Sequence, residues 1–325
     1  MNEQEFQQWL DGNRPKLKAW GDHVASTISE LCVREIGAER FETFFKVAPV
    51  PRVKSAKSAL NKLRAKNYAD PLDQMTDLVG VRFVVLLRTD LELLDRMIMA
   101  GNYWVASRDR HFSDEIFDDP EVFDYQSVHY VVRATEECVV GDCEIPPNMA
   151  CEIQVRTLMQ HAYAELVHDN IYKPKVRVPE SAKRLVARCV ALMESTDDMF
   201  CRAVSEINQI VATREELFSV VEREFASIVK GDVNRDDAVL ISDTYHDLLT
   251  AVSADAIASL AAKKVLRARI AHRAANGGLF SQPICLLVYW LITHHYEETM
   301  HRWPLPAYGV DLEQICSDLG FAGGR

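Results

Sequence analysis

The chain of 325 residues has no long apolar run and no cysteine pairing motif, and each absence excludes a class of protein. Its most apolar stretch, 284–293, is too short to cross a bilayer and predicts a buried helix instead. No apolar segment follows the first methionine, so we do not expect a secretory signal peptide. None of the eight cysteines forms a CxxC pair, and no histidine lies at ligand spacing from Cys138, Cys143 or Cys151, so a zinc site is not expected. Together these absences predict reduced thiols, no membrane contact and a cytoplasmic location.

The chain also lacks an excess of positive charge. Its net charge is −11 at pH 7 and its pI is about 5.4, which argues against a general nucleic-acid coating protein. Hydrophobic residues make up 48% and charged residues 26%, an ordinary globular composition that suits one large or two ordinary domains. Any contact with phosphate must therefore come from a local basic cluster.

The stretch 151–173 combines the patterns of a strand and a helix. Apolar residues at 151, 153 and 155 alternate with Glu152, Gln154 and Arg156, which predicts a half-buried strand with one polar face. From Thr157, a suitable N-cap, the spacing becomes that of a helix. An acid, an amide and a base in a row suit a catalytic face, but the pattern also fits an edge strand with a solvated polar face.

The stretch 51–66 is rich in lysine and arginine and contains no acidic residue. After Ser55 it predicts a helix that carries Ser58 and Lys62 one turn apart on one face. Arginine forks, lysine point charges and the donors of a helix start all suit a polyphosphate. A solvated basic helix is the alternative interpretation.

An acidic residue precedes the next apolar strand. Asp77 comes just before it, Gly80 permits a close approach of the backbone, and Arg82 stands at the start of a segment that is apolar on both faces. A carboxylate at a strand edge, beside a basic pocket of phosphate size, is a natural Mg²⁺ ligand.

A further polar pattern occupies the segment 123–133. Tyr125, Ser127, His129 and Val131 share one face of a predicted strand. An aromatic ring, a hydroxyl and an imidazole in line suit a nucleotide, because they can stack a base and hold a ribose or phosphate. Simple packing of aromatic side chains explains the alternation equally well. The segment before it, 114–124, is strongly acidic.

The two ends of the chain are predicted to be helical. Residues 1–46 show helical spacing with Pro15 near a helix start, and a short strand is predicted within 41–50. Prolines at 174 and 179 mark a boundary, so we predict a first domain at 1–175 and an all-helical module at 176–325. In the basic segment 263–273 of that module, Val265, Leu266 and Ile270 are expected to be buried. Its cations are expected to face solvent, either as a solvated face or as a surface that docks on the acidic segment 114–124; they are Lys263, Arg267, Arg269 and Arg273.

Together these segments resemble the synthetase domain of the RelA/SpoT family, the enzymes that make the alarmones (p)ppGpp. The matching motifs are RVKSAKSALNKL (52–63), DLVGVR (77–82), YQSVHY (125–130) and EIQVRTLMQHAYAELVHDNIYK (152–173), in family order over roughly 40–175. The last of them looks most like the small, single-domain synthetases. The resemblance implies an α+β fold, with a nucleotidyltransferase-like mixed β-sheet flanked by helices, and here an all-helical C-terminal module follows it.

The resemblance also implies an activity and a site. A pyrophosphokinase of this family transfers the β,γ-pyrophosphate of ATP to the 3′-hydroxyl of a guanine nucleotide, with Mg²⁺. In such a site two carboxylates bind Mg²⁺, and one of them activates the acceptor hydroxyl; here these are Asp77 and Glu152. The donor ATP is held by Arg52, Lys54, Ser58, Lys62 and Arg82, whose two arginines sandwich the adenine. The acceptor is held by Tyr125, Gln126, Ser127, His129, Gln154 and Arg156.

Two features depart from the family pattern. Asp124 stands where the family usually has glycine before its tyrosine, and the loop 114–124 is acidic where the family has a lysine-rich loop. Like charges beside a di- or triphosphate weaken its binding. No hydrolase domain is recognisable either, because His246-Asp247 lies in the helical module without the surrounding pattern. A synthetase without a hydrolase needs another restraint, such as a neutralising partner or homo-oligomerisation.

Three functions remain open on the sequence. The first is a (p)ppGpp-type pyrophosphokinase acting on GDP or GTP. The second is a toxic member of the family that pyrophosphorylates the 3′ end of tRNA and blocks translation. The third is a catalytically inactive nucleotide-binding regulator, against which the retention of both Asp77 and Glu152 argues.

Overall fold

The computed structural model describes residues 1–66, 68–100, 103–110, 127–167, 178–231 and 233–321. The contacts between residues divide the chain into two compact units, Met1–Val204 and Ser205–Arg325. The domain boundary at 175/176 stays a prediction. The first unit contains all of the predicted site residues that the structure describes.

A mixed five-stranded sheet forms the centre of the first unit, in the order β1-β2-β7-β4-β3. Strand β7 is parallel to β2 and antiparallel to β4, and the two outer pairs, β1 with β2 and β3 with β4, are antiparallel. A separate hairpin is formed by β5 and β6. The strands are β1 Arg52–Val53, β2 Val79–Val85, β3 Val105–Arg110, β4 Val128–Arg133, β5 Cys138–Val140, β6 Cys143–Ile145 and β7 Ala150–Thr157. The expected mixed sheet flanked by helices is therefore confirmed.

The first helix, α1 (Glu3–Ile36), packs its apolar face against the central sheet. Asn2 and Glu5 cap its start reciprocally. Pro15 lies inside this helix, so the prediction of a helix start there is wrong. An internal proline destabilises a helix by about 3 kcal/mol, but Leu10 and Trp20 are buried on either side of it and their burial outweighs that penalty.

The strand expected within 41–50 is also absent from the described residues. The segment contributes only an isolated bridge between Val47 and Val84. Pro49 and Pro51 follow this bridge, and neither has an N–H to donate to a ladder, which explains why pairing does not extend.

The remaining helices of the first unit flank the sheet, and one long helix continues beyond residue 204. They are α2 Ala38–Phe41, α3 Ala56–Lys66, α4 Pro71–Gln74, α5 Arg88–Met99, α6 Leu158–Val167 and the long helix α7 Glu180–Ala226. The predicted change from strand to helix after Thr157 is confirmed. The Thr157 hydroxyl accepts from Gln160 N at 3.1 Å, and the Gln160 side chain accepts from Thr157 N at 2.8 Å. These two bonds form a capping box that fixes where β7 ends and α6 begins.

The described part of the second unit contains helices and short turns. Its helices are α8 Arg235–Thr244, α9 His246–Leu249, α10 Ala254–Ala261, α11 Lys264–Ala274, α12 Cys285–His294, α13 Tyr296–His301 and α14 Gly309–Asp318. As predicted, the apolar helix α12 is buried, from Cys285 to Ile292. Among the described residues no helix is long and apolar enough to span a membrane.

Candidate active site

Asp77 and Glu152 reach the same polar face from neighbouring strands. Asp77 stands two residues before β2, and Glu152 lies on β7, where it pairs in register with Gly80. A Cβ atom at Gly80 would lie 3.4 Å from the Glu152 carbonyl oxygen, so glycine leaves room for this close approach. Arg82 and Gln154 form the next pair that shares this face.

Two lysines of the basic segment converge on Asp77. The Lys54 ammonium contacts Oδ2 of Asp77, and the Lys62 ammonium lies 2.8 Å from the same oxygen. Burial alone would raise the pKa of Asp77, but the hydrogen bonds and positive charges of both lysines lower that pKa below its usual value. The segment therefore presents its ammonium groups at the carboxylate, as expected for a phosphate and metal site.

Glu152 is held between two donors. His129 Nδ1 lies 3.2 Å from its Oε1, and Gln154 Nε2 donates to its Oε2 at 3.0 Å. Burial and the nearby charge of Asp77 raise the pKa of Glu152, while the bonds from His129 and Gln154 lower it, and the net effect is a lowered pKa. Glu152 is therefore an ionised carboxylate, which is the state that a metal ligand or a general base requires.

These bonds continue on both sides of Glu152. His129 and Gln154 are directly opposite residues on β4 and β7. The Ser127 hydroxyl lies 2.7 Å from His129 Nε2, and Arg156 Nη2 donates to Gln154 Oε1 at 2.5 Å. The structure thus brings together four of the six residues that were predicted to hold the acceptor.

The two arginines predicted to hold adenine lie on the neighbouring strands β1 and β2. Arg52 is exposed on β1 and is the register partner of Gly80. Arg82 Nη1 donates to Glu165 Oε1 at 2.7 Å, and both side chains are exposed, at 40% and 57%. A pair this accessible contributes little stability, so Arg82 can exchange it for another partner at small cost.

Ser58 lies at the start of α3, on the exposed side of the basic segment. Ser55 caps the helix by accepting from Ser58 N at 3.2 Å, and the two hydroxyls are 2.9 Å apart. Tyr125 and Gln126 lie outside the described residues, and so does the acidic segment 114–124. Their assigned roles stay predictions.

Two site features were missed in the sequence. One is Glu165, which contacts Arg82 from α6. The other is the buried pair of Thr157 and Asp197, in which the Thr157 hydroxyl donates to Asp197 Oδ2 at 2.6 Å. Burial raises the pKa of Asp197, although the bond from Thr157 lowers it. No local pattern could reveal either contact, because the partners are far apart in the chain and meet only through helix packing.

One direct observation supports a divalent cation at the pair of carboxylates, Asp77 and Glu152. Oδ1 of Asp77 is buried and accepts no hydrogen bond from the described residues. No group of three or more His, Cys, Asp and Glu side chains that could hold a metal occurs in the described parts of the chain. Mg²⁺ is commonly held by one or two carboxylates together with water and substrate phosphates, so two protein ligands are enough.

The comparisons with known proteins agree with the motifs. Residues 51–177 match the family described as "Region found in RelA / SpoT proteins". The chain is therefore similar to RelA/SpoT proteins over this region. It is homologous to GTP pyrophosphokinase YjbM of Bacillus subtilis, with 25% identity over 162 residues that cover 50% of this chain and 73% of YjbM.

Solved structures of related proteins are also similar to this chain. Small alarmone synthetase 1 of Bacillus subtilis matches with a TM-score of 0.48 and 21% identity, over 63% of this chain and 98% of that one. A GTP pyrophosphokinase family protein of Streptococcus pneumoniae matches with a TM-score of 0.49 and 19% identity, over 63% of this chain and 95% of that one.

Proposed function

We propose that this protein transfers the β,γ-pyrophosphate of ATP to the 3′-hydroxyl of GDP or GTP and so makes a (p)ppGpp-type alarmone. The observation that carries the proposal is the pair Asp77 and Glu152, with Lys54 and Lys62 closing on Asp77, inside the matched region 51–177. The homologue YjbM is named a GTP pyrophosphokinase, which supports the same reaction here.

The proposed reaction needs one bond made and one broken. The 3′-oxygen of the acceptor attacks the β-phosphorus of ATP, the bond from that phosphorus to the α,β-bridging oxygen breaks, and AMP leaves. The hydroxyl proton passes to the Glu152 carboxylate, which the bonds from His129 and Gln154 keep ionised. Lys54 and Lys62 neutralise the donor phosphates and Ser58 orients them, and phosphoryl-type transfer depends mainly on such positioning.

Asp77 and Glu152 are the residues that would hold Mg²⁺. When bound, the ion supplies charge neutralisation at the transferred phosphates. Asp77 Oδ1 offers a lone pair that accepts no hydrogen bond from the described residues. Arg52 and Arg82 are proposed to enclose the adenine, Tyr125 to stack on the acceptor base, and Gln126 to hold the acceptor beside it.

The acceptor distinguishes this proposal from its alternative. The acidic segment 114–124 and Asp124 before Tyr125 are unfavourable to a free nucleoside di- or triphosphate, which favours the 3′ end of tRNA as a second candidate. A cytoplasmic location, a neutralising partner and a homo-oligomer stay predictions.

One experiment separates the candidates. Purified protein is incubated with Mg²⁺ and γ-labelled ATP, and with GDP, GTP or deacylated tRNA in separate reactions. We expect the label on the guanine nucleotide, together with release of AMP. Label on tRNA alone would replace the first candidate by the second, and no transfer to any acceptor would leave the inactive nucleotide-binding regulator.

A further inference from the structure

Three residues of α1 contact the basic segment 51–66 from one side of the helix. They are Glu3, Arg14 and Gly21, which we call the three contact residues. Their positions differ by 11 and then by 7 residues, close to three and two whole helical turns, so they share one face of α1. The segment runs antiparallel to this face, because its first residue packs on Gly21 and its end contacts Glu3.

The beginning of the segment packs tightly on Gly21. A Cβ atom at this position would lie 2.7 Å from Pro51 Cβ and 2.8 Å from Val79 Cγ2, nearer than the 3.4 Å at which ordinary contacts begin. Pro51 Cβ belongs to a ring that is fixed to the backbone, so it cannot rotate away. Gly12 of the same helix is different, because no described heavy atom would lie within 4 Å of a Cβ there. The missing side chain of Gly21 therefore sets how closely α1 approaches the residue before β1.

The middle of the segment is held at the backbone of Lys54. The Lys54 N–H donates to the Leu78 carbonyl at 2.8 Å, and the Lys54 carbonyl accepts from Arg14 Nη2 at 3.3 Å. Leu78 is the neighbour of Asp77, so the first bond keeps Lys54 beside the carboxylate that its ammonium contacts. Arg14 adds the second bond from α1, and both backbone groups of Lys54 are then fixed.

The end of the segment carries an ion pair with the start of α1. Arg64 donates to the two Glu3 carboxylate oxygens, through Nε at 2.8 Å and through Nη2 at 2.5 Å. Between the contact residues, the buried Leu10 and Leu17 belong to the same core cluster as the buried Ala59 of α3. The ion pair is exposed and contributes little stability by itself, so its role is to align α3 along α1.

From these contacts we propose that the three contact residues are positioning residues for the proposed donor site. They act through Lys54 and Lys62, whose ammonium groups converge on Asp77. Phosphoryl-type transfer depends on such positioning, and a misplacement on the order of 1 Å can lower the rate by ~10²-fold. The inference deepens the proposed function and rests on it for its kinetic part.

The first test is independent of activity and compares two glycines of one helix. Gly21→Ala must open a 2.7 Å approach to about 3.4 Å, whereas Gly12→Ala meets no described neighbour. Amide hydrogen exchange of the full chain, followed by mass spectrometry, reports such local opening. We expect several-fold faster exchange in peptides from 51–66 for Gly21→Ala, and the parent rates for Gly12→Ala.

The same measurement is repeated with a pair of variants that introduce no clash. Arg14→Met removes the donor to Lys54, and Lys18→Met removes a cation that pairs with Asp22 within α1. Faster exchange in 51–66 is expected for Arg14→Met only. Unchanged exchange in this segment for both Gly21→Ala and Arg14→Met overturns the proposal. Equal acceleration in every peptide of the first unit also overturns it, because the contact residues would then serve general packing.

The ion pair is tested by exchanging its charges. Glu3→Arg brings two cations together and should speed exchange at the end of α3, by less than Gly21→Ala does because the pair is exposed. Adding Arg64→Glu restores opposite charges and should return the parent rate. A double variant that exchanges as quickly as Glu3→Arg alone would contradict the role of Glu3.

The last test is kinetic. Gly21→Ala should lower kcat/KM for ATP by about 10–100-fold, and Arg14→Met by a smaller factor that Arg14→Lys partly recovers, because lysine keeps a donor. The KM of the acceptor should change little, since its predicted binding residues on β4 and β7 lie outside the basic segment. Equal losses in Gly12→Ala or Lys18→Met, or a raised KM for the acceptor alone, would contradict the proposal. If the parent transfers no label, the proposed function fails, and hydrogen exchange still decides this inference.

Discussion

Two basic segments, 52–66 and 263–273, look alike in the sequence and differ in the structure. In the first, Lys54 and Lys62 meet Asp77, whose second oxygen has no hydrogen-bond donor among the described residues. In the second, both oxygens of Asp318 accept from Arg273, and the Asp318 side chain is only 5% exposed. A basic run therefore indicates a ligand site only where its acidic partner is left partly unsatisfied.

This difference corrects the expected role of the second segment. Arg267 donates to Ser227 Oγ at 3.0 Å, and Arg269 donates to the Asp318 carbonyl at 2.8 Å. All three arginines therefore have partners within their own unit, and of the three only Arg269 keeps the expected exposure, at 42% of its side chain against 25% for Arg273. Val265 was expected to be buried and is 64% exposed.

The largest expected effect comes from neutralising the acidic partner of each basic segment in turn. Asp77→Asn should lower the transfer rate by at least ~10²-fold, because it removes a proposed metal ligand and the carboxylate that organises two lysines. Asp318→Asn should instead lower thermal stability and leave kcat unchanged. Steady-state kinetics and melting curves for both variants check this, and an exchange of the two effects would contradict the comparison.

The next effect concerns stability. Arg273→Met should lower the free energy of unfolding by roughly 1.5–3 kcal/mol, because it removes the bidentate partner of the buried Asp318, which keeps Arg269 and Tyr289. Arg235→Met is the control, since Arg235 pairs with Glu215 and Glu222 at an exposed site and should change stability by less than about 1 kcal/mol. Urea denaturation measures both, and equal losses would mean that Asp318 needs no arginine.

A smaller effect is expected at the proposed adenine site. Arg52→Ala and Arg82→Ala should each raise the KM for ATP, because stacking contacts of this kind contribute roughly 0.5–2 kcal/mol, or about 2–30-fold in affinity. Initial rates at varied ATP and fixed acceptor provide the measurement. If only the KM of the acceptor changes, donor and acceptor sites have been exchanged in our assignment.

The smallest expected effect is on the pH dependence of stability. The pKa of Asp77 is lowered in the folded protein, so its contribution is present above the ordinary aspartate pKa of about 3.9 and is lost as the pH falls through the lowered value. The pKa of Asp197 is raised in the folded protein. Its ionisation therefore lowers the free energy of unfolding by an amount that grows as the pH rises from about 3.9 through the raised value.

Asparagine at each position should therefore change the pH profile in opposite senses. Relative to the parent, Asp77→Asn should lose stability as the pH rises through its window, and Asp197→Asn should gain it. Unfolding free energies measured between pH 3 and 7 test the signs, and profiles that shift in the same sense would contradict both assignments.

The sequence predicted the parts of the site that depend on local periodicity. The alternation before Thr157 located β7, and the polar face with Glu152 and Gln154 follows from it. The same alternation could not reveal that Arg156 is buried, because that depends on how other elements cover the end of the strand. Nor could it reveal that Arg273 finds Asp318, 45 residues away, since pairing over such a distance is decided by helix packing.

The central claim is that Glu152 is the ionised group on which pyrophosphate transfer depends. Its most direct test compares Glu152→Gln with Glu144→Gln, an exposed glutamate in the β5–β6 hairpin, in the labelled ATP assay at equal folded protein. The change at Glu152 is nearly isosteric and removes only the charge. We predict that it lowers transfer by at least ~10²-fold with an unchanged melting temperature, while Glu144→Gln retains full activity. Retention of more than about a tenth of the parent activity by Glu152→Gln would contradict the claim.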